Sequence, residues 1–384
     1  MRTIYLDHTA TTPLDPVVFE AMQPYFSGTF GNASSVHWYG RQAKTALEGA
    51  RETIANAIGA EAGEVFFTSG GTESDNLAIR GVASASGHNG RTHIITSRSE
   101  HHAVLDTCES LASHGFEVMF LPVDGFGIVD PSQVESAITP ATCLVSIMHA
   151  NNEVGSISPL REVVEAAHRH GVLVHTDAVQ TLGKIPINVK ELGVDLLTVS
   201  AHKTYGPKGI GALYVKRGTP LDPILGGGGQ EWGKRPGPEN VPLAVGFAKA
   251  AELAVNAMSA ESPRLKALRD ALEETLMRKL PGIIVNGHPE KRLPHILNTS
   301  FDHQKLPLEG EMLVVNMDLQ GIAVTSGSAC TSGSMQPSHV LLAMGRDPNT
   351  AKATLRFSFG KSNTMDDVAY AVEGLLAVVL QMTN

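Results

Sequence analysis

Between residues 64 and 215 the chain alternates short apolar runs with helical patterns, and few folds accept that rhythm. The apolar runs predict strands at 65–68, 92–97, 117–122, 143–149, 173–177, 196–200 and 210–215. Helical stretches separate them. Residues 160–170, for example, put Val163, Val164 and Ala167 on one face and stop at Gly171. Strands linked by crossover helices form a largely parallel sheet, so the expected fold class is α/β. Near Ser262 a fresh helix start is expected, with Ser262 as N-cap and Pro263 at the first helical position. Leu265, Leu268, Leu272 and Leu276 then follow at helical spacing. A strand (296–301), a helix (309–319), a Gly/Ser-rich loop (326–334), a strand (354–359) and a last helix from Thr364 complete the pattern. The reading is a large mainly parallel-sheet domain over 13–258 and a smaller α+β domain from 1–12 and 259–384.

Ligands of an open parallel sheet bind outside the carboxyl ends of its strands, and the unusual polar residues fall there. Val199-Ser200-Ala201-His202-Lys203-Thr204-Tyr205-Gly206-Pro207-Lys208-Gly209 follows the 196–200 run. Desolvation behind a buried strand lowers a lysine's pKa and makes its amine able to form a Schiff base with an aldehyde. Many strand-end lysines simply snorkel to solvent, so Lys203 takes its weight from its company. Ser69-Gly70-Gly71-Thr72 precedes a helical stretch whose N-terminus offers free N–H groups to an anion; the bland reading is a glycine turn. Asn151-Asn152-Glu153 follows the 143–149 run, and Asp177 and Gln180 follow 173–176. A buried Asp177 needs a cation or an N–H partner, which a protonated pyridine nitrogen or a structural salt bridge supplies. His101, just after 92–97, adds a stacking and proton-transfer group. A phosphate cradle, an acid, amides and an amine together match pyridoxal phosphate chemistry.

Two further residues select the reaction. Arg356 is a charge inside an apolar strand, and its planar fork suits the carboxylate of an amino acid. Cys330 lies in Ser326-Gly327-Ser328-Ala329-Cys330-Thr331-Ser332-Gly333-Ser334, small residues that predict a mobile, exposed loop able to carry a thiolate. Cys108 and Cys143 read as core residues. Three cysteines are too few for a disulfide framework, and no resident metal site is expected. A formal net charge of −9 gives no footprint for direct nucleic-acid binding. The start lacks the apolar core of a signal peptide and no apolar run looks long enough for a membrane span. A soluble cytoplasmic protein with no membrane partner is expected.

The chain resembles the cysteine desulfurases, fold-type I pyridoxal-phosphate enzymes of the class V aminotransferase group. The resemblance runs from Tyr5-Leu6-Asp7-His8-Thr9-Ala10-Thr11-Thr12-Pro13 to Leu355-Arg356-Phe357-Ser358. It passes through Thr68-Ser69-Gly70-Gly71-Thr72-Glu73-Ser74-Asp75-Asn76, Glu100-His101, Asn151-Asn152-Glu153, Asp177-Ala178-Val179-Gln180 and the lysine motif. The cysteine loop is similar to the longer-loop subgroup. The resemblance implies that Lys203 holds the cofactor and moves the substrate α-proton, with His101 stacked on the ring and shuttling the thiol proton. It implies Asp177 at the pyridine nitrogen, Gln180 and Asn152 near the phenolic oxygen, and Gly71, Thr72, Ser200 and His202 at the phosphate. Arg356, with Asn32 and Asn152, would bind the substrate, L-cysteine. Cys330 would take its sulfur as a persulfide, leaving L-alanine, and would be at most a transient ligand for an iron–sulfur cluster. A homodimer is implied, as is a sulfur acceptor such as an iron–sulfur scaffold or a tRNA- or DNA-sulfur modification protein.

The chain departs from the family's usual text at Trp232, where an arginine is common, and at Pro238, where a threonine reaches the phosphate from the partner subunit. Proline has no hydroxyl or N–H to give, so that contact is expected to be absent. A selenocysteine lyase and another pyridoxal-phosphate aminotransferase are the alternative enzymes. A non-catalytic sulfur carrier fits poorly with an intact lysine, aspartate and histidine set.

Overall fold

The computed structural model describes residues 2–87, 89–326 and 336–383. A short strand, β1 (Ile4–Tyr5), precedes seven strands that form one sheet: β2 (Val65–Thr68), β3 (His93–Ser97), β4 (Glu117–Leu121), β5 (Thr142–Ser146), β6 (Leu173–Asp177), β7 (Leu196–Ser200) and β8 (Gly211–Val215). The order across the sheet is β2-β8-β7-β6-β5-β3-β4. All seven expected strands are present, and all pairings are parallel except those of β8, which runs against both neighbours. The 201–210 link that precedes β8 is too short for a crossover, so the chain turns back. Alternate strand residues feed two cores: Ile95, Val145, Val174 and Leu197 on one face, Ile94, Leu144, Leu196 and Leu213 on the other. Helices cover both faces, which aligns the carboxyl ends of β3, β5, β6 and β7 along one rim.

A separate core gathers Leu6, Leu272, Leu297, Leu313, Phe357 and Leu375 around an antiparallel sheet. Its strands are β9 (Ile283–Asn286) and β10 (Ile296–Phe301), with β12 (Thr354–Ser358) on the other side of β10; β11 (Ile322–Ala323) pairs in parallel with β1. The N-terminal segment is thereby tied to this separate core and leads from it onto the rim of the large sheet.

The expected helix start at Ser262 is corrected by the structure. One helix, Val241–Lys279, runs straight through Pro263. Its first half supplies Ala244, Phe247 and Ala251 to the large core, and its second half supplies Leu265, Leu268, Leu272 and Leu276 to the small one. Burial at both ends outweighs the one backbone hydrogen bond that proline removes. Ser262 caps nothing: its hydroxyl donates to the Lys184 carbonyl (2.6 Å). By length and mean composition this helix is also apolar enough to cross a membrane, which the sequence reading did not expect, although most of its buried side chains belong to protein cores.

Candidate active site

A cavity of about 400 Å³ opens at the carboxyl rim of the large sheet. Gly71, Thr72, His101, Asn152, Asp177, Gln180, Ser200, His202, Lys203 and Arg356 all line it. Ten of the residues singled out in the sequence therefore meet in one place. Asn32 does not: it is exposed, and its side chain accepts a hydrogen bond from the Ser34 N–H (2.8 Å), so it serves its own turn. Cys330 lies outside the described residues.

Lys203 closes a 3₁₀ turn, Ala201–Lys203, immediately after β7. Its ammonium donates to the carbonyls of Thr9 (2.5 Å) and Ala10 (2.8 Å). Those acceptors come from the N-terminal segment, whose own backbone is held by the Thr12 N–H and hydroxyl, both donating to the His202 carbonyl (2.9 Å each). Burial, helped by the Arg356 charge, lowers the Lys203 pKa to about 8, against the upward pull of Asp177 and Asp7. This amine therefore loses its proton more readily than an exposed lysine's does.

Asp177 ends β6 and accepts one hydrogen bond, from the Val179 N–H (2.8 Å). Among the described residues it pairs with no cation, so the structural salt bridge weighed from sequence is absent. Burial raises its pKa, opposed by the charges of His101 and Lys203. Asp75, one helical turn into Gly71–Gly87, stands behind it; its Oδ1 accepts no hydrogen bond from the described residues but lies 3.6 Å from His175 Nε2, and its pKa is raised by burial and by Asp177. Glu100 accepts from the Ser97 hydroxyl (2.8 Å) and the Met148 N–H (3.0 Å), yet burial pushes it up to about 8. A buried layer of carboxyl groups thus backs the cavity. Its members can share few negative charges, and a cation arriving at Asp177 would relieve them.

His101 is the N-cap of His102–Ser113, and its Nδ1 accepts the Ala103 N–H (3.1 Å). A neutral ring so engaged carries its proton on Nε2. Burial lowers its pKa, partly offset by Asp177. His202 is likewise kept neutral, lowered to about 4 by burial and by Lys203, with Nδ1 3.2 Å from the Thr11 hydroxyl. Gln180 donates to the Thr9 carbonyl (3.1 Å). At the helix start, Gly71 is required by close approach: a Cβ there would lie 2.9 Å from Val179 Cγ2. First-turn N–H groups have no partner inside their helix, and the dipole adds positive potential at Gly71 and Thr72.

Arg356 projects from β12 and already has a carboxylate. Its Nη2 donates to Asp7 (3.0 Å) and its Nη1 to the Asn152 carbonyl (3.0 Å), while Nε has no partner among the described residues. The sequence reading missed Asp7, as it missed the Thr9 and Ala10 carbonyls. The only signal for them was the run of small polar residues after Leu6. Cys108 and Cys143 are buried free thiols pushed up to about 12 and about 11 by burial, unsuited to nucleophilic work. Trp232 lies over the Arg51 guanidinium (4.6 Å from the ring centroid), which is itself clamped by Glu231 (2.7 Å).

These residues fit a phosphorylated pyridine aldehyde: an amine of lowered pKa, an unpaired buried carboxylate, and an open helix N-terminus around one cavity. Residues 4–370 match the model of the aminotransferase class-V family. The chain belongs to the class-V aminotransferase family. It is 49% identical to the cysteine desulfurase IscS of Dictyoglomus turgidum over 98% of this chain and 95% of that protein. A solved NifS-like protein superposes with a TM-score of 0.91 at 38% identity, covering 99% of this chain and 100% of that one. A further solved structure, SspA in complex with cysteine, gives a TM-score of 0.81 at 36% identity over 93% and 99% of the two chains. Class-V aminotransferases and their cysteine desulfurase members depend on pyridoxal phosphate.

Proposed function

We propose that this chain is a cysteine desulfurase that binds pyridoxal phosphate through Lys203, converts L-cysteine to L-alanine and collects the sulfur on Cys330. The observation that carries the reading is the Lys203 amine, poised at the strand rim facing an Asp177 that no cation among the described residues neutralises. The name of the Dictyoglomus relative and the cysteine in the SspA complex agree with it. Gly71, Thr72, Ser200 and His202 would hold the phosphate, Asp177 the ring nitrogen, and Gln180 and Asn152 the phenolic oxygen. Bound, the cofactor supplies an electron sink that loosens the bonds around the substrate α-carbon.

The chain's own residues supply the rest. Arg356 orients the substrate carboxylate, which must share the guanidinium with Asp7 or displace it; the unpartnered Nε is the vacant donor. Lys203, with its pKa near 8, takes and returns the α-proton. His101 presents Nε2–H, so its first act toward a substrate sulfur is to donate, which favours binding of the thiolate. A Cys330 thiolate attacking that sulfur forms an S–S bond as the C–S bond breaks. The electron pair stays with carbon, which takes a proton and leaves as alanine.

The persulfide would pass to an acceptor protein such as an iron–sulfur scaffold. A reducing cytoplasm suits a thiol that must stay free between turnovers. A homodimer is supported by exposed apolar side chains clustered near the N-terminus, among them Phe26, Phe30, Val36 and Trp38, the last three 65%, 88% and 57% exposed. One experiment tests the function: L-cysteine is added to the cofactor-loaded protein, and alanine release is compared with sulfur carried by the Cys330 peptide in mass spectrometry. Matched alanine and one added sulfur on Cys330 support the reading. A keto acid in place of alanine would make the chain an aminotransferase, and turnover confined to selenocysteine would make it a lyase.

A further inference from the structure

A second cavity, of about 270 Å³, lies between the Pro16–Met22 helix and the middle of Val241–Lys279, on the far side of the Lys203–Tyr205 segment. Val18, Leu253, Ala254 and Leu265 give it apolar walls. Lys184 also lines it and is only 8% exposed. Its ammonium makes no hydrogen bond and no ion pair with any described residue; its near neighbour is the Tyr205 ring, 5.4 Å from the centroid.

The backbone that carries this lysine is pinned in place. Gly183 is left-handed (φ 69°) and lies so close to the long helix that a Cβ would sit 2.4 Å from Ala254 Cβ. The Lys184 carbonyl takes the Ser262 hydroxyl, and its N–H donates to the Thr181 carbonyl (3.0 Å). The two acids of the cavity are already neutralised. Asp15 pairs with Lys361 and caps its helix at the Val17 N–H (2.8 Å), and Glu261 is gripped twice by Arg264 (3.0 and 2.8 Å). His8 and His295, the nearby buried histidines, are held neutral by burial. One positive charge is left over in an apolar chamber. An ammonium with no hydrogen-bond partner in an apolar chamber is costly, and burial, helped by the Lys361 charge and opposed by Glu261, lowers the Lys184 pKa to about 8.

We propose that this cavity is a binding site for a small amphipathic monocarboxylate, whose carboxylate pairs with Lys184 and whose aliphatic or aromatic body fills the chamber. The volume is near the lower end of small-molecule sites. A dianion would place its second charge against Asp15 or Glu261, so a single charge with an apolar tail is the fitting class. The site is independent of the strand-rim cavity and of the function proposed for it.

Isothermal titration of the full-length, cofactor-loaded protein with 3-phenylpropionate tests this, with neutral 3-phenylpropanamide as the comparison. Saturable one-site binding of the acid is expected, with the amide at least about tenfold weaker. The Arg356→Ala variant should keep that binding, which separates the site from the substrate carboxylate site. Lys184→Met should bind acid and amide alike, and Ala254→Leu, which fills the chamber, should bind neither. Absence of saturable binding, loss in Arg356→Ala, or an undiminished preference for the acid in Lys184→Met would each overturn the proposal. Cofactor absorbance and thermal denaturation of every variant establish that it is folded, and Lys184→Met alone suffices if Ala254→Leu is not.

Discussion

Two lysines, the half-buried Lys203 and the buried Lys184, both have amines lowered to about 8, mainly by desolvation, yet their surroundings differ completely. Lys203 has two backbone acceptors, an opposing carboxylate at Asp177, and an open helix start nearby. Lys184 has apolar walls and an aromatic face, with the neighbouring acids already paired. A depressed lysine pKa therefore does not by itself mark a cofactor lysine. What separates the two regions is the set of groups facing the amine: one region is built for a polar ring with a phosphate, the other for a single negative charge with an apolar body.

The largest expected effect comes from removing the first amine. Lys203→Ala should lower alanine production by on the order of 10⁴-fold, the upper range for a positioned proton-transfer group. Lys208→Ala, at an exposed position beyond Gly206-Pro207, should stay close to wild type in the same assay. If Lys208→Ala fell as far, the strand-rim geometry would not be what selects the lysine. Next in size is Asp177→Asn, which removes the charge meant for the ring nitrogen. A loss of about 10²-fold or more is expected, as for other single preorganised electrostatic contacts. Its cofactor absorbance should also change, which a purely structural role would not require.

Arg356→Ala probes the substrate end. Losing a charge-assisted hydrogen bond should raise KM for cysteine about 10- to 100-fold, with a smaller change in kcat. A pure kcat loss would mean that Asp7, not the substrate, is the arginine's working partner. Smaller still is the stability signature of Lys184. Its folded pKa is lowered to about 8 from the ordinary lysine value of 10.5, so the unfolded chain binds more protons between those two values. Its destabilising contribution is fully present below pH 8 and is relieved as pH rises toward 10.5. Lys184→Met should raise stability by about 1–3 kcal/mol at pH 7, with the gain fading toward pH 10.5 in denaturant titrations. A gain that did not depend on pH would show that packing, not charge, is responsible. The smallest effect belongs to Pro238→Thr. It should tighten cofactor retention by at most about 1–2 kcal/mol, read by dialysis and absorbance. No gain in a folded variant would mean that other donors already serve the phosphate.

The sequence exposed the large sheet clearly because its strands are short, mostly apolar runs set between helical patterns, several of them closed by a polar cluster. The polar clusters at Gly71, His101, Asp177 and Lys203 do converge, since parallel strands deliver their carboxyl ends to one rim. What stayed illegible depends on contacts between distant segments. Ser262 and Pro263 spell a helix start, yet burial at both ends draws the helix through them. Asp7, Thr9 and Ala10 act on Arg356 and Lys203 only because β1 pairs with β11 and aims the N-terminal segment at the rim. Asp75 sits in the early turns of its helix, and its buried proximity to the charge of Asp177 shows only in three dimensions. Lys184 carries no local signal at all. Asn32 fits the resemblance but is occupied by its own turn within the chain.

Reduction of the cofactor-loaded protein with borohydride, followed by peptide mapping, tests the central claim most directly, because it converts the proposed lysine–cofactor bond into a permanent mark. The label is expected on Lys203 and on neither Lys184 nor Lys208. A label on Lys184, or on any lysine other than Lys203, would contradict the claim.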